Sequence, residues 1–262
     1  MDNWLSDCPF SIVHCPLMLL AIDIGNTAMK FGVFGGDELT SKFVIPTRRD
    51  YTHDELSNAI APHLADAPEG VIFSSVVPEL DVTVNELFLR GGLAPRQVTT
   101  SDDFGLTFNF SVEEAGTDRL VNSFAATELH GAPCIVIAFG TATTIDAVNK
   151  DKEHIGCLIA PGPKTTAKAL ELIASKLPEV EIAEPPNVVS TTTATAIQSG
   201  IFYSQIGLIE TAIPHIQAEI GDKANVIATG GFAALFADKT LLIDHIEPDL
   251  TLLGLKMLYS RA

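Results

Sequence analysis

A carboxylate, a glycine, an amide, a hydroxyl and an ammonium group follow one another within the segment Asp23-Ile24-Gly25-Asn26-Thr27-Ala28-Met29-Lys30. Asp23 closes an apolar run and is placed to hold a hydrated Mg²⁺. Gly25 admits a ligand close to the backbone, Asn26 and Thr27 offer an amide and a hydroxyl, and Lys30 can reach back toward negative charge. Together they suit a polyphosphate, and the same residues also spell a plain hairpin turn. A second turn, Gly140-Thr141-Ala142-Thr143-Thr144, carries another glycine and further hydroxyls. It can contact phosphates from an opposite wall, or be a Thr-rich hairpin. The third candidate, Thr229-Gly230-Gly231, follows the apolar Val226-Ile227-Ala228 and opens a helix. A turn without bulky side chains lets a purine or its ribose lie flat on the backbone. A fourth, Gly116-Thr117-Asp118-Arg119, sets a carboxylate and a guanidinium at a helix start. An Asp there also serves simply as a complement to the helix dipole, beside a surface Arg.

These turns need elements to hold them. Apolar runs predict strands at 19–23, 29–34 and 40–45, joined by tight turns as an antiparallel meander. Leu56, Ile60 and Leu64 at helical spacing predict a helix over 52–65, capped by Thr52 or Asp54. A short strand at 71–73 and a helix from Pro78 to Arg90 follow, then a short strand at 97–100 and a helix from Gly116 to about His130. The stretch Cys134-Ile135-Val136-Ile137-Ala138-Phe139-Gly140-Thr141 repeats the pattern of Leu19 to Asn26, with a second strand at 145–148. A repeat about half a chain apart predicts a duplicated α/β domain with a cleft between the halves. The expected division is an extension at 1–17, one unit at 18–115 and a second at 116–262. In the second unit the pattern predicts helices at 165–175, 195–220, 232–237 and 248–259. Strands are expected at 225–228 and 241–245, and Pro214 should interrupt or kink the long helix.

Composition narrows the class. Of 262 residues 47% are apolar and 19% charged, which supports a packed core and argues against disorder. Lys and Arg number 16 against 33 Asp and Glu, a formal charge of -17 that argues against a nucleic-acid partner. No apolar run nears the ~18–20 residues that cross a bilayer, so no membrane partner is expected. Cys8, Cys15, Cys134 and Cys157 show no paired spacing and read as reduced cytoplasmic thiols. The seven histidines show no metal spacing.

Neither a Walker A loop, nor a dinucleotide GxGxxG, nor a GxSxG elbow is present. The order of the three glycine turns on a duplicated frame resembles the actin/hexokinase/sugar-kinase superfamily. Within it the chain resembles the type III pantothenate kinases. The matches are Asp23-x-Gly25-Asn26-Thr27-x-x-Lys30, Ser74-Ser75-Val76-Val77-Pro78, Gly116-x-Asp118-Arg119, Gly140-Thr141-Ala142-Thr143, Ile159-x-Pro161-Gly162, Ala196-Ile197-Gln198-Ser199-Gly200, Thr229-Gly230-Gly231 and Leu250-Thr251-Leu252-x-Gly254-Leu255. The resemblance implies a duplicated RNase H-like fold and ATP- and Mg²⁺-dependent phosphorylation of the pantothenate primary hydroxyl, the first step toward coenzyme A. By the same analogy Asp118 is the general base. Gly116, Thr117, Arg119 and the position of Asn109 hold pantothenate, and Thr193 reaches that site from the other subunit of a homodimer. Gly140, Thr141, Thr229, Gly230 and Gly231 join the first turn around ATP.

The chain departs from the family pattern around this cleft. Ala138 stands where an Asp usually helps bind an activating K⁺ or NH₄⁺, and an Ala cannot ligate a cation. Ser190 and Thr192 replace a usual Gly and Asn, Cys157 a common second Gly, and Asn109 a Tyr that contacts pantothenate. Two alternatives therefore stand beside the kinase: a weakened or silent homologue that binds nucleotide or pantothenate as a sensor or accessory factor, and a kinase for another small hydroxy acid.

Overall fold

The structure is a computed structural model that describes residues 18–173 and 177–261. The expected extension at 1–17, with Cys8 and Cys15, lies outside the described residues.

The first half begins with the meander β1 (Leu19–Ile24), β2 (Ala28–Gly35) and β3 (Glu38–Pro46), in which all six residues of β1 are buried. α1 (His53–Ile60) starts on a capping box: the Thr52 hydroxyl accepts from the Glu55 N–H, and the Glu55 carboxylate accepts from the Thr52 N–H. Leu56 and Ile60 give it a buried stripe. The helix ends there rather than near 65. Pro62 converts the next turn to a 3₁₀ piece at 61–63, because a proline has no N–H to give an α-turn. β4 (Gly70–Ser75) then pairs parallel to β1, α2 (Pro78–Arg90) follows, and β5 (Arg96–Gln97) completes the order β3-β2-β1-β4-β5.

The second half runs β6 (Thr107–Phe108), α3 (Thr117–His130), β7 (Cys134–Phe139), β8 (Ala142–Val148), β9 (Glu153–Pro161), α4 (Pro163–Ile173), α5 (Thr193–Ile220), β10 (Asn225–Gly230), α6 (Ala233–Ala237), β11 (His245–Ile246) and α7 (Leu250–Ser260). Its sheet order is β11-β10-β7-β8-β9-β6. Read from the other edge, β9-β8-β7-β10-β11 reproduces the first sheet in order and in strand sense: two antiparallel pairings, then two parallel ones. This duplicated mixed sheet flanked by helices is the expected fold class. β6, which the apolar pattern did not indicate, pairs with β9 and joins the second sheet.

α3 and α7 seal the halves together. Leu120, Val121 and Phe124 of α3 and Leu252, Leu255 and Leu258 of α7 share one buried cluster with Leu19, Ala21 and Ile72 of the first sheet. Each such side chain contributes roughly 1.5–3 kcal/mol on burial. Gly254 permits the approach: a Cβ there would meet Val121 Cγ1 at 2.7 Å and Val121 O at 2.9 Å.

Three expectations change. α5 is continuous through Pro214, where burial of Ala212 and Ile213 against the second sheet outweighs the missing hydrogen bond. It also begins at Thr193, because the Thr192 hydroxyl caps it by accepting from the Thr195 N–H. The strands expected at 97–100 and 241–245 shrink to Arg96–Gln97 and His245–Ile246 at the sheet edges. Among the described residues no helix is long and apolar enough to cross a membrane.

Candidate active site

The duplication sets two hairpin turns, one after β1 and one after β7, against each other. Thr27 Oγ1 lies 2.8 Å from Thr141 Oγ1. Each glycine spends its N–H inside its own turn: Gly25 donates to Ala28 O at 3.1 Å and Gly140 to Ala142 O at 3.0 Å. Their contribution is shape, and the exposed Asn26 and Thr27, with Thr141 and Lys30, offer the donors. Thr47 braces the first turn by donating to Gly25 O at 2.6 Å, and Arg49 Nη2 donates to Asn26 Oδ1 at 3.4 Å. Gly162 braces the second. Its N–H donates to Thr141 O at 3.0 Å, and a Cβ there would lie 2.2 Å from Gly140 O.

Asp23 is buried at the end of β1 and accepts from Lys30 Nζ, its neighbour across β2, at 3.1 Å. Among the described residues no group of three or more His, Cys, Asp or Glu could hold a metal ion. A divalent cation at Asp23 would thus rest on one carboxylate, with water and phosphate completing its shell, the usual situation for Mg²⁺.

The opposite wall is the start of α3. Thr117 Oγ1 donates to Ser75 O at 3.1 Å, docking the helix on the end of β4, next to the end of β1. Gly116 leaves room for Asp118 to fold over the helix start: a Cβ on Gly116 would lie 2.5 Å from Asp118 Oδ1. Burial pushes the Asp118 carboxyl up to about 6, and the charges of Asp23 and Asp146 push the same way. The Arg119 N–H, which donates to Oδ1 at 2.9 Å, and the Arg119 guanidinium oppose them. The Asp118 carboxyl therefore lies within reach of the Asp23 charge.

Arg119 is not a free surface side chain. Its Nε donates to Asp146 Oδ1 at 3.1 Å and Oδ2 at 3.3 Å, and its Nη2 to Oδ1 at 2.6 Å. Sequence reasoning missed Asp146. Its signal was a carboxylate at a buried position of the apolar strand Thr144-Ile145-Asp146-Ala147-Val148. Cys157, opposite Asp146 in the β8–β9 register, has its thiol pushed up by burial. Asn109 is exposed, while the flanking Phe108 and Phe110 are half-buried and pack on His154 with ring centroids 6.0 and 5.2 Å away.

In the third turn Thr229 is buried. Gly230, at φ 92°, is required by packing, since a Cβ would lie 2.5 Å from Phe139 O. Only Gly231 is open. Phe232, next to it, borders a groove of ≈ 830 Å³ with Lys164, Lys168, Glu171 and Glu179, and Lys164 Nζ stands 5.6 Å over the Phe232 ring. Ala138 occupies the position in the second repeat that Asp23 holds in the first. It lies opposite Thr144 and Thr229, and the Thr144 hydroxyl is buried with no hydrogen-bond partner. Thr193 stands at the first turn of α5, in a second groove of ≈ 630 Å³ with Leu170, Ser190, Thr192 and Ile197.

A profile of the family described as "Type III pantothenate kinase" matches residues 19–215. A type III pantothenate kinase of Moorella thermoacetica is 41% identical over 253 residues, covering 93% of this chain and 99% of that protein. One from Geobacillus kaustophilus is 38% identical, covering 93% and 98%. Among solved structures, a Campylobacter jejuni protein assigned to the Baf family of transcriptional activators has a TM-score of 0.59 at 19% identity, covering 92% of this chain and 98% of its own. The ethanolamine utilization protein EutJ of Carboxydothermus hydrogenoformans has a TM-score of 0.52 at 14% identity, covering 91% and 89%. These two likenesses speak for the fold alone.

Proposed function

The chain belongs to the type III pantothenate kinase family, and from that premise we propose how its cleft transfers the γ-phosphoryl group of ATP to the primary hydroxyl of pantothenate. The observation that carries the assignment of roles is the meeting of Thr27 and Thr141 beside the coupled carboxylates Asp23 and Asp118. Thr27, Asn26, Lys30 and Thr141 receive the phosphates between two turns shaped by Gly25 and Gly140. The purine takes the groove beside Gly231 and Phe232, with Thr229 and Gly230 holding that turn in place. Asp23 would hold Mg²⁺ through water, and that ion would supply charge neutralisation for the transferring phosphoryl group.

Asp118 is the general base. It stands at the helix start with Gly116 and Thr117 and takes the hydroxyl proton as the phosphoryl group transfers. Arg119, already oriented by Asp146, presents its remaining N–H edge to the pantothenate carboxylate, and Asn109 lies on the same wall. The enzyme works as a cytoplasmic homodimer in which Thr193 of one subunit completes the pantothenate site of the other. Because Ala138 offers no ligand, turnover is independent of K⁺ and NH₄⁺. A coupled assay for ADP tests this reading. We expect ADP release that requires pantothenate and falls by about 10²–10⁴-fold in Asp118→Asn, the usual worth of a positioned base. Pantothenate-independent ADP release, or an unimpaired Asp118→Asn, would refute the assignment.

A further inference from the structure

Arg119 is fixed before a substrate arrives, and the group that fixes it is itself held. Asp146 Oδ1, which accepts from Arg119, also lies 3.1 Å from His154 Nε2. His154 sits on β9 and is 1% exposed; its Nδ1 is buried with no hydrogen-bond partner. This environment selects one tautomer. Nε2 faces a carboxylate and must carry its proton, whereas a second proton on Nδ1 would be a buried N–H without an acceptor. His154 is therefore a donor aimed at Asp146. A side chain needed only to fill space between Phe108 and Phe110 could be Leu or Phe, with no buried nitrogen to leave unpaired.

We propose that His154 is a positioning residue for substrate recognition: through Asp146 it sets the guanidinium plane of Arg119, so that the edge Asp146 does not occupy meets the carboxylate of the acceptor substrate. The aromatic pair around Asn109 packs on the same imidazole, which ties the setting of Arg119 to the wall of segment 107–110. This rests on the reading that Arg119 takes the pantothenate carboxylate.

The test compares binding of pantothenate with binding of its primary amide analogue, which lacks the carboxylate charge, by calorimetry in wild type, His154→Leu and His154→Gln. KM values for both acceptors and for ATP are measured alongside. Leu removes the donor, and Gln supplies an N–H again. His154→Leu should raise the Kd for pantothenate about tenfold, the worth of one hydrogen bond to a charged group, and leave the amide and ATP unaffected. His154→Gln should recover most of that loss. Should His154→Leu not fold, His154→Asn, too short to reach Asp146, takes its place. An equal loss for acid and amide, or a Gln variant no better than Leu, would overturn the proposal and leave His154 a packing residue. Wild type that fails to bind pantothenate would overturn the Arg119 reading and this inference with it; wild type that binds, with an unselective Leu variant, overturns this inference alone.

Discussion

Asp118, the proposed base, carries a carboxyl whose ionisation burdens the fold. Its carboxyl is raised from 3.8 to about 6 by burial and by the charge of Asp23, so the native state binds its proton more tightly than the unfolded chain does. The stability this contributes is fully present below about 3.8 and is lost as pH rises through about 6. At pH 7 the ionised carboxylate is a cost, and Asp118→Asn should raise the unfolding free energy by about 3 kcal/mol, a gain that closes toward pH 4. Thermal melts across pH check this, and equal melting at pH 7 would contradict it. On the proposed base role the same ionisation precedes catalysis, so kcat/KM for pantothenate should fall on the acid side with a midpoint near 6. Ala138 invites the opposite change. It faces Thr144, whose hydroxyl is buried and unpartnered, so Ala138→Asp would regain a hydrogen-bond partner there. Activity should rise and become dependent on K⁺ or NH₄⁺, and an unchanged, cation-insensitive rate would refute the role given to this position. The turn residues and Asp118 were legible in the sequence because each sits in a short contiguous motif. Asp146 and His154 were not, because their meaning lies in a relay, from Arg119 to Asp146 across 27 positions and from Asp146 to His154 across a strand pair, that periodicity does not encode.

Elements were legible where local pattern and tertiary need agree. The capping box at Thr52 and the proline opening α2 mark helix starts, and the paired apolar runs of β1 and β7 announce the repeat. They were illegible where partners are distant or short. β6 is two residues long and is a strand only because β9 lies beside it, and α5 passes Pro214 because the second sheet holds the flanking turns. α3 packs closely on α7 at Gly254, where a methyl group would meet the Val121 carbonyl oxygen, a backbone atom that cannot rotate aside. Gly254→Ala should therefore destabilise the fold by about 1–3 kcal/mol, the usual cost of overpacking. Gly162→Ala meets Gly140 O and Thr141 O instead, so it should disturb the second turn, proposed to receive phosphates, and raise KM for ATP more than it lowers stability. Urea midpoints and ATP kinetics on both variants separate the two. A Gly254→Ala protein with unchanged midpoint would show that the helices part without strain.

At the scale of the molecule, the proposal that a partner's Thr193 completes the pantothenate site bears on the groove beside Thr193. Ile173 is 85% exposed and Val189 86%, with Leu172 and Val188 also exposed nearby in sequence. Apolar side chains this open are expensive to leave in water and suit a surface shared with a second copy. A closed dimer in which Thr193 crosses over makes an arithmetic prediction. Asp118→Asn and Thr193→Val should each lose activity at low pantothenate. In a mixed dimer one site carries both defects, and the other combines the intact Asp118 of one chain with the intact Thr193 of its partner. Refolding an equal mixture of the two variants makes about half the dimers mixed, each with one working site, so about a quarter of wild-type activity should return. If Thr193 instead acts within its own chain, every site in the mixture keeps one defect and nothing returns. Sedimentation should meanwhile give twice the 27.9 kDa chain mass. A monomer in solution, or two inactive variants that stay inactive together, would remove the partner's Thr193 from the site and leave pantothenate to be held by one chain alone.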